Sequence, residues 1–173
     1  EQALRPLLGA RQSSVFAIPS RAAVEAADYA SACAAAAATS DPPRKVSKQA
    51  FCLFPKIRAL DALLRADANL AARVFETHPE GAFATMAGAP LAQPKKVKSR
   101  PHGPGLAERA GLLAATGVPR ALLGAPPPRG AGADDALDAL ACAWTADRIL
   151  RGDAIRRGPD ARDAHGLPIA IWS

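Results

Sequence analysis

The residues best suited to chemistry lie in Ala133-Asp134-Asp135-Ala136-Leu137-Asp138-Ala139-Leu140-Ala141-Cys142-Ala143-Trp144. Leu137, Leu140, Ala141 and Trp144 recur at helical spacing among strong helix formers. On a helix, Asp138 shares a face with Asp135 one way and with Asp134 the other, and carboxylates so placed repel each other. Asp134 at the N-cap would take up free backbone N–H groups, and Asp135 would sit favourably at the positive end of the helix dipole. Capping leaves Asp138 unexplained, a full turn further in and beside apolar residues. Acids crowded on one face make sense where a divalent metal is held. Two accounts therefore stand: a cap with a solvated acid, and a metal-binding face.

A second acid stands at the end of Arg73-Val74-Phe75-Glu76-Thr77, the segment that reads best as a β-strand. Alternation puts Glu76 and His78 on one face. The carboxyl ends of strands are where α/β proteins gather ligands, although an edge acid beside a hydrogen-bonded histidine fits equally. Glu80 reads as first-turn helix chemistry. Lys95, Lys96, Lys98 and Arg100 place four cations in a Pro/Gly-rich loop, as a phosphate-contacting or simply solvated loop would. No aromatic residue interleaves them to stack on bases. Arg109, on the following helix, either points back to the same place or lies on the surface. His102 and His165 lack ligand-like spacing, and Trp144 and Trp172 read as packing residues.

The 173 residues suffice for one domain, residues 1–173, with a sizeable core. Apolar residues make up 49% and aromatics only 5%, so the core is expected to be aliphatic. A formal charge of +6 permits an anionic partner and also serves solubility. No apolar run is long enough for a membrane span and no signal peptide is visible, so a cytoplasmic chain is expected. Cys33, Cys52 and Cys142 are odd in number and far apart, which suits buried thiols of a reducing compartment and no zinc site. GxGxxG, P-loop, GxSxG and HExxH motifs are all missing.

The elements that must position these residues follow from the apolar spacing. Glu1 to Leu8 reads as helical, stopped by Gly9, and Ser13 to Pro19 as extended. One helix is expected from Ser20 to about Ala38. A second runs from Ser47 to about Ala66, split or kinked at Pro55, with Ile57, Leu60, Leu63 and Leu64 as its buried stripe. Short helical residues follow at Gly81 to Met86, then the loop from Gln93 to Gly105, and a helix from Leu106 to Thr116. The acidic helix runs to about Arg151 and is closed by Gly152, and Leu167 to Trp172 forms a last strand. The sum is a helix-dominated α/β pattern.

Taken together, Ser13-Ser14-Val15-Phe16, Ser47-Lys48-Gln49, Pro55-Lys56-Ile57-Arg58 with Asp61, Glu76-Thr77-His78-Pro79-Glu80, Lys95-Lys96, Asp134-Asp135-Ala136-Leu137-Asp138-Ala139 and Gly166 to Trp172 resemble one family. It is the family of predicted RNase H-like nucleases known as domain of unknown function 429, and the resemblance spans nearly the whole chain. The run from Asp135 to Ala141 also resembles the last acidic helix of Holliday-junction resolvases. The resemblance implies an α/β, RNase H-like fold, in which acids from separate elements hold two Mg2+ or Mn2+ ions for phosphodiester hydrolysis. By position, Glu76, Asp135 and Asp138 would be the metal-binding and catalytic acids. Lys95, Lys96 and Arg109 would contact phosphate. Ala59 stands where the family pattern has an acid.

The same resemblance implies that the sequence begins after a hairpin carrying the family's first aspartate, so the domain is expected to be N-terminally truncated. A metal-dependent nuclease is thus the expected function. The alternative is a non-catalytic nucleic-acid- or protein-binding remnant of the fold, using the basic residues 95–100. A plain structural domain with capping acids is the third reading. A homo-oligomer is compatible with all three.

Overall fold

Alanine- and leucine-rich periodicity turns most of the chain into helix, and the computed structural model describes all of residues 1–173. The protein is helix-rich and mixed α/β, with two small antiparallel sheets of two strands each. No helix is long and apolar enough to cross a membrane. The residues gather into two compact units, one of Glu1–Val15, Phe75–Ala161 and Ile169–Ser173, the other of Phe16–Val74 and Arg162–Pro168.

The second unit is built from α1 (Arg21–Glu25), α2 (Tyr29–Ala38), α3 (Lys48–Phe51), α4 (Phe54–Ala66) and α5 (Ala68–Ala71). The single helix expected from Ser20 is two, because Asp28 offers a second start: its carboxylate accepts from the Ser31 N–H at 2.8 Å. The Ser20 hydroxyl caps nothing and instead meets Thr39 Oγ1 at 2.7 Å. Ser47 does cap α3, and Pro55 opens α4, where its missing N–H costs nothing. Phe54, Ala23, Val24, Ala32, Ala36, Val46 and Ala50 form the core. The expected stripe on α4 is only partly used: Leu60 and Leu63 are 46% and 58% exposed. Arg21 ties Asp61 of α4 and Asp163 together.

The first unit holds every candidate site residue. A 3-10 segment, Arg5–Ser14, kinks at Gly9 (φ 48°, ψ −121°) rather than stopping there. It lies against α6 (Pro79–Ala87), so closely that a Cβ on Gly81 would come within 2.7 Å of Leu4 Cδ1. α7 (Gly103–Ala115) and α9 (Ala133–Arg151) complete the helical layer, with α8 (Arg120–Leu123) as a short turn beside α7. Leu4, Leu8, Phe83 and Leu113 are fully or almost fully buried in the core. Each such side chain contributes about 1.5–3 kcal/mol by leaving water. α9 ends where expected, at Gly152, whose φ of 78° is the left-handed conformation that closes helices.

The strands are shorter than the sequence suggests. Arg73 to Thr77 is not a strand. Asp67 caps α5, and the N–H groups of Arg73 and Val74 still bond the Leu70 carbonyl, so helical turns persist to residue 74. Only one parallel bridge follows, Thr77 to Trp172, with the Trp172 N–H donating to the Glu76 carbonyl at 2.8 Å. β3 (Arg156–Arg157) and β4 (Ile171–Trp172) pair antiparallel, Arg157 opposite Ile171. The basic loop contains a hairpin: β1 (Lys96–Val97) pairs with β2 (Arg100–Pro101) across Lys98 and Ser99, both at positive φ (48° and 62°). Left-handed residues at both central positions give a turn whose twist matches the strands.

The base of this hairpin is held by α7. An ideal Cβ on Gly105 would lie 1.9 Å from the Pro94 carbonyl oxygen, so helix and loop backbone pass at a distance only glycine allows. Gly105→Ala is expected to destabilise the chain by about 1–3 kcal/mol, the range for forced overpacking. A urea midpoint unchanged from the wild type would contradict this close approach.

Candidate functional site

Site geometry starts from the loop 92–95, which is fixed on all sides. The Glu108 carboxylate accepts from the N–H groups of Ala92 and Gln93, each at 2.9 Å. His102 donates its N–H to the Lys95 carbonyl at 2.9 Å, and its Nδ1 stands 3.1 Å from the Pro94 carbonyl oxygen. Arg109 Nη1 donates to the carbonyls of Gln93 (3.1 Å) and Gly105 (2.7 Å). A Pro/Gly-rich stretch is thereby delivered as a defined platform.

From this platform two lysines reach α9. Lys95 forms an ion pair with Asp138. Lys96 forms one with Asp134 at 2.7 Å, one helical turn away. Asp134 is therefore not the N-cap; its carboxylate is buried and paired, and it raises the affinity of the Lys96 ammonium for its proton. Asp135 does the capping in its place, reaching back so that Oδ2 accepts from the Gly132 N–H at 2.7 Å. That reciprocal contact is half of a capping box. The second oxygen of Asp138, Oδ1, is buried without a hydrogen-bond partner. Burial pushes the Asp138 carboxyl above its ordinary value, and Lys95 opposes that shift.

Arg109 departs most from its expected role. It is 0% exposed, and Nε and Nη2 donate to the Glu80 carboxylate at 2.7–2.9 Å, with the Phe83 ring 5.6 Å from the guanidinium carbon. Every arm of the guanidinium is spent inside the protein, so Arg109 offers nothing to a phosphate. Glu80, 4% exposed, is a buried ion-pair partner and more than a helix-start acid. No spacing in the sequence marks this pair, whose members lie on different helices. The Lys95-Lys96 doublet facing an Asp134/Asp138 pair is different, since the two runs are complementary in charge.

His78 and Glu76 complete the inventory. His78 Nε2 lies 3.2 Å from the Ser14 carbonyl oxygen and so donates to it, which leaves Nδ1 as a buried acceptor with no partner. Burial lowers the affinity of this ring for a proton, while Glu80 and Asp138 raise it. Glu76 keeps an exposed surface, yet its carboxyl is pushed above the ordinary value by burial and then by the neighbouring Glu1. The structure does not collect Glu76, Asp135 and Asp138. Glu76 stands by Glu1, Asp135 turns back to Gly132, and Asp138 faces Lys95. No three His, Cys, Asp or Glu side chains come close enough to hold a metal ion. The Mg2+ or Mn2+ pair implied by the resemblance therefore finds no ligand set in this arrangement.

The remaining residues are structural. Trp172 packs edge-on against Phe75, and Arg148 stacks over the Trp144 ring at 4.7 Å. All three cysteines are free; Cys52 is exposed rather than buried.

Arg109→Met leaves the Glu80 carboxylate buried and uncompensated, and a loss of about 3–5 kcal/mol of stability is expected. A denaturation midpoint within error of the wild type would contradict the buried pair. His78 sets a pH dependence of known sign. Below its ordinary value of 6.5 the unfolded chain takes up a proton that the folded ring resists, so stability falls as the pH drops through that window. His78→Gln should flatten the fall; parallel curves for variant and wild type would remove His78 as its source.

No curated protein and no solved structure matches the chain. Residues 1–163 match the model of one family, and the chain belongs to it: Protein of unknown function (DUF429).

Proposed function

We propose that this chain binds a phosphate-rich partner, a nucleic acid, without cleaving it, as a non-catalytic member of an RNase H-like lineage. The observation that carries this reading is the pairing of Lys95 with Asp138 and Lys96 with Asp134. Of the acids expected to work as metal ligands, Asp138 is neutralised internally, while the hairpin that does this presents Lys98 and Arg100 on its exposed side. Neither of these cations has an ion-pair partner, and their turn is anchored through the platform under α7. A rigid basic ribbon contacts phosphates with little ordering cost and reads no base sequence.

A metal-dependent nuclease acting through Glu76, Asp135 and Asp138 is the second reading. It is favoured by one feature, the buried Asp138 oxygen that lacks a partner. To act so, the site would need Lys95 displaced and Glu76 and Asp135 brought to Asp138.

The two readings separate in one assay with a fluorescent DNA duplex and a single strand. Binding without cleavage is expected, unaffected by EDTA and weakening steeply with salt. The double substitution Lys98→Ala/Arg100→Ala should lower the slope of log affinity against log salt by about 2, one for each lost phosphate contact. Cleavage that requires Mg2+ and stops in EDTA would replace this proposal with the nuclease reading. Failure of either oligonucleotide to bind at low salt would defeat the proposal.

A further inference from the structure

The two lysines of the platform and the two aspartates of α9 form a closed set. Asp134 and Asp138 lie one turn apart on the same helix face, where two carboxylates repel each other unless a cation is shared or each is neutralised. Here each has its own ammonium, and the four groups sum to zero charge. The Asp134 side chain is 4% exposed and the Asp138 side chain 21%. Carboxylates so far removed from water require partners. Flexible surface lysines would meet that need loosely, but Lys95 and Lys96 are not on a flexible loop. Glu108, His102, Arg109 and the glycine-only approach at Gly105 fix the backbone from which both side chains start.

We infer that Lys95 and Lys96 are built-in counter-cations that keep divalent metal ions off the acidic face of α9. The lysines fill the place of a dication in charge but not in chemistry. An ammonium donates protons in hydrogen bonds; it offers no open coordination position. A metal ion approaching Asp138 meets a carboxylate already paired and two fixed positive charges beside it. Asp138 Oδ1 is a buried acceptor without a partner, and a single oxygen is a weak ligand set for Mg2+ or Mn2+. Removing the lysines reverses this balance, because Asp134 and Asp138 then leave two uncompensated charges on one helix face. This inference is independent of nucleic-acid binding and concerns the metal preference of the α9 face alone.

The test is titration of the full chain with MnCl2, reading free Mn2+ by electron paramagnetic resonance, with circular dichroism to verify folding. Three proteins are compared: wild type, Lys95→Met/Lys96→Met, and that double variant carrying Asp138→Asn as well. The double variant should bind Mn2+ at least about tenfold more tightly than the wild type, the scale on which an uncompensated cluster concentrates counter-ions. The added Asp138→Asn should abolish the gain. A folded double variant with no gain would overturn the inference and leave the lysines a purely structural role. Wild-type binding as tight as that of the double variant would overturn it too. Should the double variant fail to fold, Lys96→Met alone decides. The Lys96 side chain is 45% exposed and its removal leaves the Lys95 pair in place, so a smaller gain is expected and none would refute the idea.

Discussion

The buried pair of Glu80 and Arg109 is the constraint on which the candidate site depends. A guanidinium with no access to water is costly unless all its donors are used, and the protein meets this by surrounding Arg109 with acceptors from three segments. The carboxylate comes from the first turn of α6, the carbonyls from the loop before the hairpin and from the start of α7 itself. Satisfying one side chain therefore fixes α6, α7 and the loop with respect to each other. The hairpin follows from that arrangement, since Pro94 and Lys95 are the next residues in the chain. The lysine–aspartate pairs with α9 rest in turn on the hairpin. Charge at the centre is thus organised outward, from a pair that cannot be exposed to groups that partly are.

Charge at this site is closely balanced. A centre that does acid–base or metal chemistry keeps some charge uncompensated and pointed at a reactant. Here the buried carboxylates of Glu80 and Asp134 each have a cation within bonding reach, and the buried atoms without a partner include one oxygen of Asp138 and one nitrogen of His78. Membership of an uncharacterised family fixes no reaction for the chain. The polar interior acts as scaffold for an exposed cationic turn.

Long helices were legible in the sequence because their signals are local. The acidic helix ends at the glycine that the sequence marks, and Pro55 splits its helix as expected. Strands were less legible: the last one, expected from Leu167 to Trp172, is a strand only at Ile171–Trp172, and its short partner Arg156–Arg157 carries no alternating signal. Val74 and Phe75 have β-forming side chains, but the Asp67 cap and the Leu70 carbonyl keep Arg73 and Val74 in helical turns. The hairpin at Lys96 to Pro101 was hidden by its turn residues: Lys98 and Ser99 adopt left-handed conformations that Asn and Gly usually supply. At the site, sequence found Asp138, Lys95 and Lys96 as charged residues of interest but could not pair them. It placed Arg109 among phosphate contacts because nothing local distinguishes a buried arginine from an exposed one. Burial is a tertiary property, and the Glu80 that decides it sits on another helix.

The bridge between Thr77 and Trp172 has a consequence for how the chain is made. Hydrogen bonds joining Glu76 and Thr77 to Trp172 close a very long loop, and the residues that complete the first unit come from both ends of the sequence. Contacts so distant along the chain form slowly, because closure entropy must be overcome before they stabilise anything. During synthesis Leu4 and Leu8 leave the ribosome long before Ile171, which shares their core. Their apolar surface has to wait until the residues between have been made. This fold therefore carries a period of vulnerability to aggregation that a contiguous helical bundle of the same length would avoid.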